Sequence, residues 1–327
     1  MSTVNWLRAE EETGRVVTSR SGVLIVKPAG GLSNRVRVVA SFELLARYTG
    51  RTFRVCWAPG DGFSDESLDQ LFETGFEQTD EVEFARCRAE GLRLERSREE
   101  RARLRTPVTS IAALRDVGTA PIVTYEGYHR LDSALQEPAD LPTSFKAEYG
   151  EAVRSWRPIE SIRASIESIA QHFDAATVGV HIRRGDALVD PVNKQRARRS
   201  TDAAFARRMD ARLAANSGTT FFLATDCEET EARFVDRYGD RLRTNTEKRF
   251  VPSLFTGPKD NQRDAVVDLF ALARTSSILG SNASSFSRLA ADIGAVPFER
   301  VATHQKLYLI RNKVVYETRR LRSRRRA

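Results

Sequence analysis

No apolar run in this chain of 327 residues approaches the about 18 that a membrane span requires; the longest, near Val23–Val26, is the size of a strand. The first twenty residues are polar and charged, with neither an apolar signal core nor a cleavage site. They predict a chain that is not secreted and works in the cytoplasm. Cysteine is scarce: Cys56, Cys87 and Cys227 are scattered, odd in number and without C-x-x-C spacing. That excludes a disulfide framework and a thiolate zinc site, and it fits a reducing compartment. Four histidines, His129, His172, His181 and His304, include no pair four residues apart, which leaves little for a histidine-bound metal. Lysine supplies only seven of the 52 basic residues, a skew that reads as genome composition rather than as selection for guanidinium chemistry.

The net charge of +8 is equally uneven. Arg319, Arg320, Arg322, Arg324, Arg325 and Arg326 stand at the C-terminus, and without them the net charge falls to +2. The body is nearly neutral, so the basic tail reads as a solvated terminus or as a contact for nucleic acid or another acidic surface. A mass of 36.7 kDa suits two domains of roughly 150 residues or one large α/β domain.

The segment Val23–Ala29 reads as a buried strand, followed by a Gly-Gly turn, a long helix to about Tyr48 ended by Gly50, and a second strand over Thr52–Trp57. Glu81–Arg105, dense in Glu and Arg, predicts an exposed helix pair or an insertion. Pro121–Glu126 is another strand, and Pro138–Pro158 a crossing between domains. In the second half strands are expected at Val178–Arg183, Thr220–Thr225, Arg241–Thr244, Ser277–Gly280 and Pro297–Val301. Helices are expected at Thr201–Ala215, Glu228–Tyr238, Asp264–Arg274 and Ser284–Ile293. Such alternation builds doubly wound sheets with sites at the carboxyl ends of their strands.

Four clusters at those ends carry chemistry. In Gly30-Gly31-Leu32-Ser33-Asn34-Arg35 the glycines allow close backbone approach to a ligand, and Asn34 and Arg35 offer an amide and a cation. The spacing fits neither a dinucleotide nor a Walker loop. The alternative is a tight turn with Ser33 as N-cap. In His181-Ile182-Arg183-Arg184-Gly185-Asp186, His181 and Arg183 share one strand face and Arg184 takes the other. Paired guanidiniums in an apolar strand suit phosphate, or else an internal ion pair with Asp186. Thr225-Asp226 ends an apolar strand, where the carboxylate accepts from a ribose or purine or caps the next helix. Ser281, Ser284 and Ser285 sit where hydroxyls and helix N–H groups cradle phosphate, or where serines simply cap.

The succession G-G-L-S-N-R, H-I-R-R-G-D, F-L-A-T-D and S-x-x-S-S-F-S resembles the fucosyltransferase superfamily, which spans α1,6-type and nodulation fucosyltransferases with α1,2 and protein-O-fucosyl relatives. The likeness covers Val178–Ile293 well and Val23–Trp57 moderately, leaving about Asp61–Arg157 unmatched. It implies an α/β fold of GT-B type, two Rossmann-like domains facing a cleft. Residues 1–150 would form the acceptor domain, 151–305 the nucleotide-sugar domain, and 306–327 a basic extension. It implies an inverting, metal-independent transfer of fucose from the donor substrate GDP-fucose to a glycan or other hydroxyl acceptor, with no cofactor.

By the same resemblance Arg183 contacts the donor phosphates, His181 and Asp226 lie near the guanosine, and Ser281 and Ser284 belong to the phosphate loop. Asn34 matches the glycine-rich loop of the protein-O-fucosyl relatives, whose loop begins Gly-Arg. The α1,6-type enzymes place a glutamate base shortly after the arginine pair; here Pro191 stands there beside Asp190, so Asp190 or Asp186 is the candidate base. There is no Asp-x-Asp for a metal. Other readings are a different GDP-sugar donor, a nucleic-acid acceptor held by the tail, or a non-catalytic nucleic-acid-binding protein. Against the last, basic residues in the body are balanced by acids, and no aromatic-interleaved basic patch is present.

Overall fold

The computed structural model of the chain describes residues 22–58, 66–94, 111–115, 121–134, 141–184, 199–250, 262–282 and 284–303. In chain order its first part comprises β1 (Val23–Pro28), α1 (Leu32–Thr49), β2 (Thr52–Val55), α2 (Leu68–Leu71), β3 (Phe72–Glu73), β4 (Glu77–Gln78), α3 (Glu81–Glu90), β5 (Leu92–Leu94), α4 (Ile111–Arg115), β6 (Ile122–Gly127), α5 (Leu131–Ala134) and α6 (Phe145–Arg154). Then follow β7 (Arg157–Pro158), α7 (Glu160–Ala170), β8 (Thr177–Ile182), α8 (Asp202–Ala215), β9 (Thr220–Thr225), α9 (Glu228–Tyr238), β10 (Leu242–Thr244), α10 (Gln262–Ala273), β11 (Ser277–Ser281), α11 (Ser285–Gly294) and β12 (Phe298–Val301).

Two five-stranded parallel sheets result, ordered β4-β2-β1-β6-β5 and β10-β9-β8-β11-β12. The central strands explain themselves: β1 and β8 are covered on both faces, so they read as apolar runs rather than as alternation. In each sheet the chain starts at the middle strand, builds outward on one side, then crosses to the other. The order thus reverses beside β1, towards β6, and beside β8, towards β11. At such reversals adjacent loops leave in opposite directions and open a crevice at the carboxyl ends.

Helix α1 ends where Gly50 takes a left-handed φ of 66° and its N–H bonds the carbonyls of Ala46 and Arg47. One apolar core joins the helices between the sheets, with Phe42 stacked on Tyr125 at 4.2 Å and Phe72 edge-on to Trp156 at 4.9 Å. Fully burying one such side chain is worth about 1.5–3 kcal/mol. Helix α11 packs on both α1 and α6, and β3 pairs antiparallel with β7.

The charged stretch from Glu81 opens with a helix, as expected. Among the described residues α3 forms there, exposed along most of its length, and it turns Phe84 and Cys87 onto Ile25 of β1 and onto Cys56 just past β2. Leu92–Leu94 then joins that sheet as its edge strand beside β6, and the rest of the stretch lies outside the described residues. The Pro138–Pro158 crossing holds a helix of its own, α6. No helix among the described residues is long and apolar enough to cross a membrane. The arginine tail and the extension 306–327 lie outside the described residues.

Candidate functional site

The reversal in the second sheet gathers most of the expected residues. Strands β8 and β11 are hydrogen-bonded neighbours, so Arg183 and Ser281 emerge side by side. Ser281 accepts the Arg183 backbone N–H at 3.0 Å and donates to the His181 carbonyl at 3.2 Å. Its hydroxyl therefore braces the two strand ends against each other. Ser284 is the N-cap of α11 and accepts the Phe286 N–H at 3.3 Å. The Ser285 hydroxyl lies 2.8 Å from that of Ser33 on α1. The serines are thus together, as expected, with their hydroxyls engaged by the protein. What remains for an anion is the backbone at the start of α11, at the positive end of its dipole.

Arg184 and Asp226 are also brought together, through the backbone. Asp226 Oδ1 accepts the Arg184 N–H at 2.6 Å, which ties the end of β9 to the end of β8. The capping alternative for Asp226 does not hold, because Cys227 is the N-cap of α9 and no side chain caps it. The Arg184 guanidinium pairs with Asp202 at 2.5 Å, and Asp202 is shared with Arg233. Burial pushes the Asp202 carboxyl up, but the two guanidiniums outweigh it and hold it below its ordinary range. The expected partner Asp186, like Asp190 and Pro191, lies outside the described residues. Arg183 stands half-buried just past β8, close enough to His181 for its charge to act on that ring.

His181 is 7% exposed and stacks on Phe286 with ring centroids 4.8 Å apart. Its Nδ1 has no hydrogen-bond partner. Burial, helped by Arg183, Lys248 and Arg184, lowers its pKa to about 3, so the imidazole is neutral at physiological pH.

In the first sheet Gly30 has φ 76°, and a Cβ there would stand 3.1 Å from Asn34 Nδ2 and 3.2 Å from the Tyr128 Cβ. The left-handed φ favours glycine, and a larger residue would also have to push both neighbours aside by a few tenths of an ångström. Asn34 therefore lies directly against the loop. The N-cap of α1 is Gly31 rather than Ser33, whose hydroxyl reaches across to α11 instead. Arg35 also departs from expectation: it is buried, donates to the carbonyls of Gly30 and Ala58, and stacks over Trp57. These bonds tie the loop to the end of β2 and hold its shape. Through the Ser33–Ser285 contact the glycine loop of the first sheet meets the phosphate-suited helix start of the second.

One feature of the site went unread in the sequence. Asp268 on α10 is 5% exposed, and its Oδ1 has no hydrogen-bond partner. Its other oxygen lies 3.4 Å from Lys248 Nζ, the same ammonium whose charge lowers the His181 pKa. A lone carboxylate inside the apolar run from Ala265 to Ala273 was the available signal, since a charge is not left on the core face of a helix without use or partner.

No protein-family model and no curated protein matches the sequence. Solved structures do share its fold. The fucosyltransferase NodZ from Bradyrhizobium matches with a TM-score of 0.51 and 15% identity, over 83% of this chain and 93% of that one. POFUT1 in complex with GDP-fucose matches with a TM-score of 0.52 and 11% identity, over 87% and 99%. A mutant of FUT1 from Arabidopsis thaliana in complex with GDP matches with a TM-score of 0.55 and 12% identity, over 86% and 70%. At these identities the likeness is one of fold.

Proposed function

We propose that the chain is a glycosyltransferase that transfers fucose from GDP-fucose to a hydroxyl of a glycan or similar acceptor, with inversion and without a metal ion. The observation that carries this reading is the arrangement at the carboxyl end of the second sheet. There Arg183 and the start of α11 offer positive potential, and Lys248, whose charge reaches His181, holds Asp268, a buried carboxylate with one oxygen left without a hydrogen bond. The first pair suits a diphosphate. The carboxylate suits guanine, whose N1–H and N2–H donors lie side by side on one edge, whereas uracil offers only N3–H there. A buried acceptor left unpaired by the wrong base is a strong discriminator. The known structures of the same fold with GDP or GDP-fucose bound support the same donor.

Departure of GDP builds negative charge on the β-phosphate while the fucosyl carbon becomes cation-like. A fixed guanidinium at Arg183 and the N–H groups of α11 stabilise that charge without reorganising, which is the task a divalent cation performs in other transferases. His181, neutral and packed on Phe286, adds shape and a free nitrogen without adding charge. Asn34, against the glycine loop, is suited to orient the acceptor or the sugar. Asp186 or Asp190 is proposed as the base that takes the acceptor proton on the face opposite the leaving group. Asp226 supports the site by holding the Arg184 backbone.

A thermal-shift panel of GDP-fucose, GDP-mannose, GDP, UDP-sugars and NAD tests the donor. A ligand at a hundred times its Kd raises stability by about 2.7 kcal/mol, so the true nucleotide stands out. A shift with UDP-sugars or NAD and none with GDP compounds removes this reading.

A further inference from the structure

Lys248, in the segment after β10, is one of the few lysines in the chain and is placed where a lysine is rarely found. Its Nζ lies 3.1 Å from Glu231 Oε2 of α9 and 3.4 Å from Asp268 Oδ2 of α10, and 4.8 Å from the centre of the Phe250 ring. The three charged side chains are 5%, 16% and 8% exposed for Lys248, Glu231 and Asp268. Two carboxylates share one ammonium out of water, an arrangement that costs desolvation and carries net negative charge.

We infer that Lys248 is a positioning residue for nucleotide recognition: bonded to Glu231 and Asp268, it holds Asp268 as a carboxylate with one oxygen engaged and the other presented to a guanine edge. The inference rests on the GDP-sugar reading above and adds a determinant of how that base is read. Lys248 itself is enclosed and reaches the ligand only through Asp268.

The charges around Asp268 say what Lys248 does. Burial pushes the Asp268 carboxyl up to about 6 and Glu231 pushes the same way, while the Lys248 ammonium and a hydrogen bond from the buried Asn245 side chain oppose them. Burial also pulls the Lys248 ammonium down, but Asp268 and Glu231 outweigh it, so it stays charged. On the β8 side His181 is neutral, under the charges of Arg183, Lys248 and Arg184. Without the ammonium, burial and Glu231 act with only Asn245 against them, and Asp268 takes up a proton at neutral pH. A protonated carboxyl loses an acceptor and points a donor at the donor edge of guanine.

The test is calorimetric titration of GDP into the wild type, Lys248→Met and Lys248→Arg between pH 6 and pH 9. The terminal phosphate of GDP itself titrates near pH 6, but it does so equally for all three proteins and cancels in the comparison. Lys248→Arg is expected to stay close to the wild type. Lys248→Met is expected to bind GDP roughly tenfold more weakly at pH 7, a loss equal to about one pKa unit of free energy. The gap should narrow towards pH 9 as Asp268 ionises. If Lys248→Met does not fold by circular dichroism, Lys248→Met combined with Glu231→Gln removes one charge of each sign and should show the same pH-dependent loss. Unchanged affinity, or a loss equal at every pH, overturns the positioning role. A wild type that binds no GDP at any pH instead overturns the donor reading beneath it.

Discussion

Arg183 is the residue on which the proposed chemistry leans most. Arg183→Lys keeps the charge and loses the planar fork, so it is not a conservative change. If its guanidinium serves the departing phosphate, turnover falls roughly a hundredfold, the scale of losing one oxyanion donor, while GDP affinity weakens less. Arg184→Lys is the contrast: Arg184 is spent on Asp202, so its effect should appear in stability rather than in turnover. Initial rates and GDP affinity for both variants separate the roles; a near-normal rate for a folded Arg183→Lys protein removes Arg183 from the mechanism.

His181 makes a second prediction at this scale. Its folded pKa is depressed to about 3 against an unfolded value near 6.5, so unfolding takes up a proton between those limits. Its contribution is complete above about pH 6.5 and is lost as pH falls, by up to about 1.4 kcal/mol per unit. Asp268, raised to about 6, acts with opposite sign between about pH 4 and pH 6, its contribution being lost as pH rises. The two offset each other in the wild type, so the measurement is a comparison. Denaturant unfolding of His181→Phe and wild type between pH 7 and pH 4 should show the wild type losing ground as pH falls. A constant difference would mean that His181 is not neutral in the fold.

Among single residues, those named by motif were legible and their partners were not. Ser281 and Asp226 stood out as strand-end polar groups, yet what they bond, the backbone of Arg183 and Arg184, depends on which strands lie side by side. Arg184 suggested a pair with Asp186 because the two are close in sequence; Asp186 lies outside the described residues, and the fold brings Asp202, eighteen residues on, to the Arg184 guanidinium. Asp268 and Lys248 meet only through the packing of α10 against the segment after β10, which no local pattern contains.

At the scale of elements the start of α11 matters most, because its free N–H groups are the second source of positive potential. Ser284→Ala removes the one side-chain cap there and is expected to cost about 1 kcal/mol. It should also weaken GDP binding, since a frayed first turn no longer aims its dipole. Thermal unfolding with and without GDP reads both effects; a stability loss with unchanged GDP affinity would place the phosphates elsewhere. Elements with strong signals were readable to the residue, as with β9, an apolar run between turn residues, and α9, which starts in acids and ends before Gly239. The edge strand β5 was not. Only its Leu94 is buried, and a three-residue edge strand carries too little pattern to stand out among charges.

For the whole molecule, the β-α alternation made two parallel sheets legible, while strand order came only from the structure. That order places both reversals, and with them the glycine loop and the arginine pair, at carboxyl ends. Truncation after Thr318 removes the arginine run and one large apolar residue, Leu321. Folding and donor affinity should survive it; lost affinity for GDP-fucose would make the tail part of the site. The central claim is that a GDP-sugar is held by protein charges alone. Titration calorimetry of GDP-fucose in the presence of EDTA, beside GDP-mannose and UDP-glucose, addresses it directly. The expected result is binding of the GDP-sugars unaffected by the chelator, with UDP-glucose at least roughly tenfold weaker for want of the paired donor edge. Binding that vanishes in EDTA and returns with Mg²⁺ or Mn²⁺, or a preference for UDP-glucose, would contradict it.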